Sequence, residues 1–149
     1  MQATISGRKA RWFSTSKIRL SCQMEEIKLD FDDSLLKSLQ PQAAVKGFEA
    51  LFSKVYFYHA TNDIVDEFIV RINIEDAELI SGQLPFHDRR VIDFTLTEAG
   101  AMTWDTLVPC PLDLGPCRLK LELESGDTVQ IQGAKGFVSI VELQSVYHR

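Results

Sequence analysis

The stretch Leu84-Pro85-Phe86-His87-Asp88-Arg89-Arg90 concentrates groups able to do chemistry. Histidine is the side chain that titrates near neutral pH, so His87 is a candidate general base. Asp88 beside it would orient the ring or share a ligand. Arg89 and Arg90 offer planar, bidentate grips for a carboxylate or a phosphate. Neighbours on an extended strand point to opposite faces, so His87 and Asp88 meet only if the backbone turns there. The plainer reading is a loop in which Asp88 caps local amides and the arginines answer acids elsewhere. A partner-binding role lies between these two.

A second group is acidic. Six acids and a single base, Arg71, lie between Asp63 and Glu78. Asp63, Asp66 and Glu67 lead that run. Acids in such number form a solvated face or a surface for a basic partner, which their field would steer. Neither this run nor Asp30, Asp32 and Asp33 has the ordered ligands and turn glycine of a calcium loop. Nor does any spacing define the carboxylate separation that glycosidases need.

Other chemistry finds little support. His59 and His148 stand alone in sequence, and Cys22, Cys110 and Cys117 make no CxxC. No HExxH is present, so no metal is expected. The eight glycines form no phosphate-cradling motif, and no serine sits in G-x-S-x-G. The expectation is no cofactor. Trp12, Trp104, Tyr56, Tyr58 and Tyr147 have rings that could stack on a sugar, although Trp104 reads as core.

The elements that must carry these residues are clearest toward the C-terminus. Cys117, Leu119, Leu121 and Leu123 alternate with charged residues, the period of a half-buried strand. Ser125-Gly126-Asp127 turns the chain into a strand with Val129 and Ile131. Gly133-Ala134-Lys135-Gly136 turns it again into an apolar run over 137–143. Short polar connections of this kind predict an antiparallel meander. A hairpin precedes it, with Ile92, Phe94 and Leu96 on one face, a turn at Glu98-Ala99-Gly100, and a return through Met102 to Val108. The prolines and glycine of 109–116 predict a loop. Phe68, Val70, Ile72 and Ile74 alternate as a further strand. Ile18, Leu20 and Cys22, and then Ile27, Leu29 and Phe31, suggest two short strands.

Helix is expected between these strands. Asp33 or Ser34 would cap a turn through Leu35, Leu36 and Leu39 that stops before Pro41. Val45, Phe48, Leu51, Phe52, Val55 and Tyr56 recur at helical spacing over 42–57. The predicted fold is α+β: mainly an antiparallel meander with one packed helix. The alternative is an all-β sandwich or barrel.

At Phe86-His87-Asp88, followed by a strand, a Gly/Pro loop and strands ending near Leu143, residues 84–143 resemble small bacterial β-rich immunity-type proteins. The resemblance implies a cytoplasmic antidote that sequesters a toxin through surface complementarity, without turnover. Only His87 and Asp88 carry over from it.

Length and charge bound the rest. The chain has 149 residues and a formal charge of -5, which suits one domain with a sizeable core. No apolar stretch is long enough to span a bilayer. Residues 1–21 hold five bases and no acid, so the remainder is strongly acidic. An acidic body repels a phosphate backbone and argues against nucleic acid. Residues 1–16 read as a basic N-terminal arm. Arg11-Trp12-Phe13-Ser14-Thr15-Ser16 looks like the end of a mitochondrial presequence, so mitochondrial targeting is the alternative to a cytoplasmic location. Three cysteines, an odd number, favour a reducing compartment.

The expected function is a non-enzymatic protein-binding module, of the toxin-neutralising kind. Its contacts would be Asp63, Asp66, Glu67, His87, Asp88, Arg89 and Arg90, and its partner a basic protein. The alternatives are a structural subunit of a larger assembly and a small hydrolase using His87. A homo-oligomer is left open.

Overall fold

The computed structural model describes residues 27–60, 63–82, 86–100 and 102–148, and for Phe86 and His87 the backbone alone. Among these residues twelve strands follow one another: β1 (Ile27–Asp30), β2 (Leu35–Gln42), β3 (Gly47–Tyr58), β4 (Ile64–Glu75), β5 (Glu78–Ser81), β6 (Phe86–Glu98), β7 (Met102–Asp105), β8 (Leu107–Cys110), β9 (Leu112–Leu114), β10 (Cys117–Leu123), β11 (Thr128–Gly133) and β12 (Lys135–His148). All pairings among them are antiparallel. The neighbours run β9-β12-β4-β3-β2-β6-β10-β11-β5. Strand β1 joins β3 to β8, and β7 flanks β6.

Strand β6 belongs to two sheets. Its start pairs with β2 through Arg90 opposite Leu35, and its remainder pairs with β10 from Val91 to Glu98. The two sheets close on one core. Phe31, which follows β1, stacks on Phe94 of β6 with ring centroids 4.5 Å apart, and Phe52 of β3 meets Phe31 edge-on at 5.2 Å. Aromatic pairs in these geometries add stabilisation beyond the area they bury. Leu119, Leu121, Val129 and Ile131 line the core from the second sheet, and Val70, Ile72 and Ile74 from the first. At one corner β3 and β4 run so close that a Cβ on Gly47 would collide with the carbonyl oxygen of Ile74. Only glycine permits that approach.

The α+β expectation is overturned, and the all-β alternative fits. Among the described residues the single helical element is the 3-10 turn Ala43–Val45. The stripe over 42–57 is strand β3, and the turn expected over 33–39 runs into strand β2. Both errors have one cause. The β2–β3 ladder shifts register between Leu36 and Ser38, and the β3–β4 ladder between Phe52 and Val55, where Lys54 has a φ of 57°. An extra residue at a bulge puts successive core-facing side chains three apart, Leu36 to Leu39 and Phe52 to Val55. That spacing mimics a helix. Pro41 does not stop the element: it lies in β2 opposite Phe48 of β3, and among the described residues β2 past Leu39 pairs with β3 alone, a place where a strand tolerates proline.

Other expectations shift as well. Residues 109–116 are not simply a loop: Pro109 lies in β8 opposite Lys28, and β9 follows a cis Cys110–Pro111 bond. Strands β10 and β11 are neighbours as expected, but β12 leaves the meander and pairs with β4 and β9. In β6 a bulge turns Ile92 outward and puts Val91 in the core beside Phe94 and Leu96. The basic arm 1–16, the presequence-like run 11–16 and the strand expected at 18–22 lie outside the described residues. No helix among the described residues is long and apolar enough to cross a membrane.

Candidate functional site

The residues expected to bind fall at two separate places. Phe86–Arg90 opens strand β6 instead of forming a loop, with His87 opposite Ser38 of β2. Asp88 adopts a φ of 48° and its carboxylate lies 3.3 Å from Lys37 Nζ. Arg89 is exposed. Arg90 is committed within the molecule: its guanidinium donates to Asp33 Oδ1 at 2.8 Å and to Glu124 Oε2 at 3.1 Å. Those two carboxylates raise its pKa further, Asp33 first. The pairing ties β6 to the turn after β1 and to the end of β10.

The acids Asp63, Asp66 and Glu67 lie at the β3–β4 turn and the start of β4, with β2 and β3 between them and β6. Alternation splits the latter two. Asp66 stands opposite Phe57 and Val146, and accepts from or pairs with His59 Nε2 at 2.9 Å. The His59 ring meets Phe57 edge-on, with centroids 4.7 Å apart. Phe57 packs against the core, so this row faces inward at the end of the sheet.

Glu67 faces the other way, and there the chain assembles a cluster. Directly opposite residues in antiparallel strands share a face. Asp30 of β1 lies opposite Tyr56 of β3, and Tyr56 opposite Glu67 of β4. One pleat further, Tyr58 lies opposite Val65, and Val65 opposite Tyr147 of β12. The Tyr147 hydroxyl donates to Glu67 Oε1 at 2.6 Å. Tyr56 and Tyr58 stand 6.3 Å apart, centroid to centroid. All three tyrosines of the chain therefore gather on one face around Glu67, with Asp30 on the far side of Tyr56.

The charges respond to this crowding. Burial pushes the Asp30 carboxyl up, against the Asp32 amide that donates to it at 2.8 Å, and the charges of Asp32 and Asp33 add to the rise. Burial raises the Tyr56 phenol as well, followed by Glu67, Tyr147 and Tyr58. The Tyr147 phenol is raised first by its hydrogen bond to Glu67. The face is thus negative and aromatic, and its Tyr56 and Tyr147 phenols hold their protons more tightly than a free phenol. Its chemistry suits a cation, which an aromatic face attracts and a carboxylate neutralises.

Sequence reasoning found Glu67 but not Asp30, and it named the tyrosines only as separate rings. The i, i+2 spacing of Tyr56 and Tyr58 would have placed them on one face had the segment been read as strand. No group of three or more His, Cys, Asp and Glu among the described residues is placed to hold a metal ion. No family model, no curated protein and no solved structure matches the chain.

Proposed function

We propose that this protein is a non-enzymatic binding module whose outer β1–β3–β4–β12 face receives a cationic side chain of a basic protein partner. The observation that carries the reading is the gathering of all three tyrosines around Glu67, with Asp30 beside Tyr56. Tyrosine supplies large contact area at low entropic cost and is enriched where binding energy concentrates. An Arg or Lys laid over Tyr56 or Tyr147 would gain both ring and carboxylate contacts. A cationic toxin is the partner that the resemblance to immunity-type proteins raises. Asp63 and the Asp88–Arg90 region would contribute steering at a distance, not the central contact.

The test is capture from native cell extract on immobilised wild-type protein and on Glu67→Gln and Tyr147→Phe variants, at low and moderate salt. A basic protein retained by the wild type is expected. Glu67→Gln should weaken its binding by about tenfold, the range of a lost charge pair at a partly buried contact. Equal retention by wild type and both variants would overturn the reading.

A further inference from the structure

We infer that the outer edge of β12, from Ser139 to His148, is a strand-addition site that takes an extended segment of a protein in which basic and apolar residues alternate. The inference deepens the binding function proposed above and rests on it. Among the described residues, strand β12 has a paired strand on both sides only at its start. Strand β9 pairs with Gly136, Phe137 and Val138, whereas β4 accompanies β12 to His148. Past Val138, no strand among the described residues pairs with β12 on the side away from β4. Over these ten residues the alternate backbone groups that point away from β4 have no paired strand among the described residues, although the Ile140 amide is held by the Cys110 thiol.

Such an edge is a hazard, and proteins usually blunt it with lysine, proline or bulges. Here neither lysine nor proline occurs from Gly136 to His148. Bulges do occur, at the register shifts after Ile140 and after Leu143, and they bend the strand without pairing its outer side. The side chains along the edge are apolar and accessible: Val141 is 39% exposed, Leu143 50%, Val146 48% and Tyr147 47%. Leu143 and Val146 stand opposite Phe68 and Asp66 on the inward parity, yet remain half open, so the strand projects past the cover of the second sheet.

Charge selects the occupant. The only ionised side chain on β12 between Gly136 and Tyr147 is Glu142, and Glu67 lies beside its end. An added strand with lysine or arginine on alternate positions would meet these acids, while its apolar residues cover Val141, Leu143 or Val146. Main-chain bonds would supply affinity and the alternation specificity, the known division of labour in strand addition. The same strand would bring a cation to the tyrosine face at Tyr147.

The experiment is amide hydrogen exchange on the full chain, resolved by residue, with and without a short capped peptide of alternating Lys and Val. Exchange of those amides from Val141 to His148 that point away from β4 should slow by about tenfold or more on saturation, since newly bonded amides are protected. A peptide of alternating Glu and Val should leave it unchanged. Lys/Val peptide that binds, weakened by Glu67→Gln, without slowing exchange of those amides would overturn strand addition and leave the tyrosine face standing. No binding of that peptide would overturn both. Protection in the free protein of those amides from Val141 to His148 that point away from β4 would also overturn it. A second copy is then the occupant if the protection fades on dilution, and the chain itself if it does not.

Discussion

The hydroxyl of Tyr147 donates to Glu67 across eighty residues of sequence, joining the last strand to the fourth at the edge of the tyrosine face. The bond holds the carboxylate beside Tyr56 and fixes one ring at the margin of the cluster. It also makes the phenol a reporter of the fold. The Tyr147 pKa is raised in the folded state, so its contribution to stability is present below the pKa of an unfolded tyrosine and is lost as pH rises through the folded value. Wild type and Tyr147→Phe should differ in urea midpoint at pH 7, and the difference should shrink above about pH 10, the range of a free phenol. A gap that stays constant from pH 7 to pH 11 would mean that the hydrogen bond contributes nothing.

Asp30 works in the opposite sense. Burial raises its carboxyl, so the ionised form that prevails at neutral pH is a liability to the folded state. A group that binds its proton more tightly when folded makes the protein less stable as pH rises through its titration. Asp30→Asn should therefore raise the thermal midpoint at pH 7, and the gain should vanish as pH falls below the unfolded carboxylate value. The Asn side-chain oxygen can still accept from the Asp32 amide. A midpoint lowered at pH 7 would show that the negative charge itself holds β1 in place.

Cys110 and Cys117 are free, buried thiols whose pKa burial pushes up to about 11. The thiolate is the reactive form, and at pH 8 about one in a thousand such thiols carries it. Iodoacetamide on the native protein at pH 8 should leave both sites unmodified over a time that alkylates them fully in urea, read by mass spectrometry of the peptides. Rapid native modification at Cys117 would mean that β10 opens locally.

The joint between the sheets is aromatic. Phe94 of β6 contacts Phe31 and Phe52 from the other sheet, and all three are fully buried. Phe94→Ala should cost about 3–5 kcal/mol by urea denaturation, the usual loss for a buried phenylalanine. Met102→Ala, on an exposed side chain of β7, should stay within about 0.5 kcal/mol. Equal losses at the two positions would contradict the two-sheet core.

Local alternation determined much of this protein before any contact was known. Cys117 to Leu123 and Val129 to Ile131 alternate without interruption, Phe68 to Ile74 with Ile69 alone breaking the polar face, and each is a strand with that same parity in the core. The period of two is a property of the chain itself, so it is readable residue by residue. What only the tertiary structure decided lies where a bulge breaks the period or where distant strands meet. Leu36 and Leu39, and Phe52 and Val55, take helical spacing because partner strands impose a register shift between them. The destination of β12 is equally hidden: a short turn after β11 favours a neighbouring strand, yet β12 crosses to β4 because β11 pairs with β10 and β5 on its two sides. The tyrosine face follows from that crossing. Tyr56, Glu67 and Tyr147 have nothing in their local sequence that joins them; a shared sheet face does, and pairing between strands far apart in the chain created it.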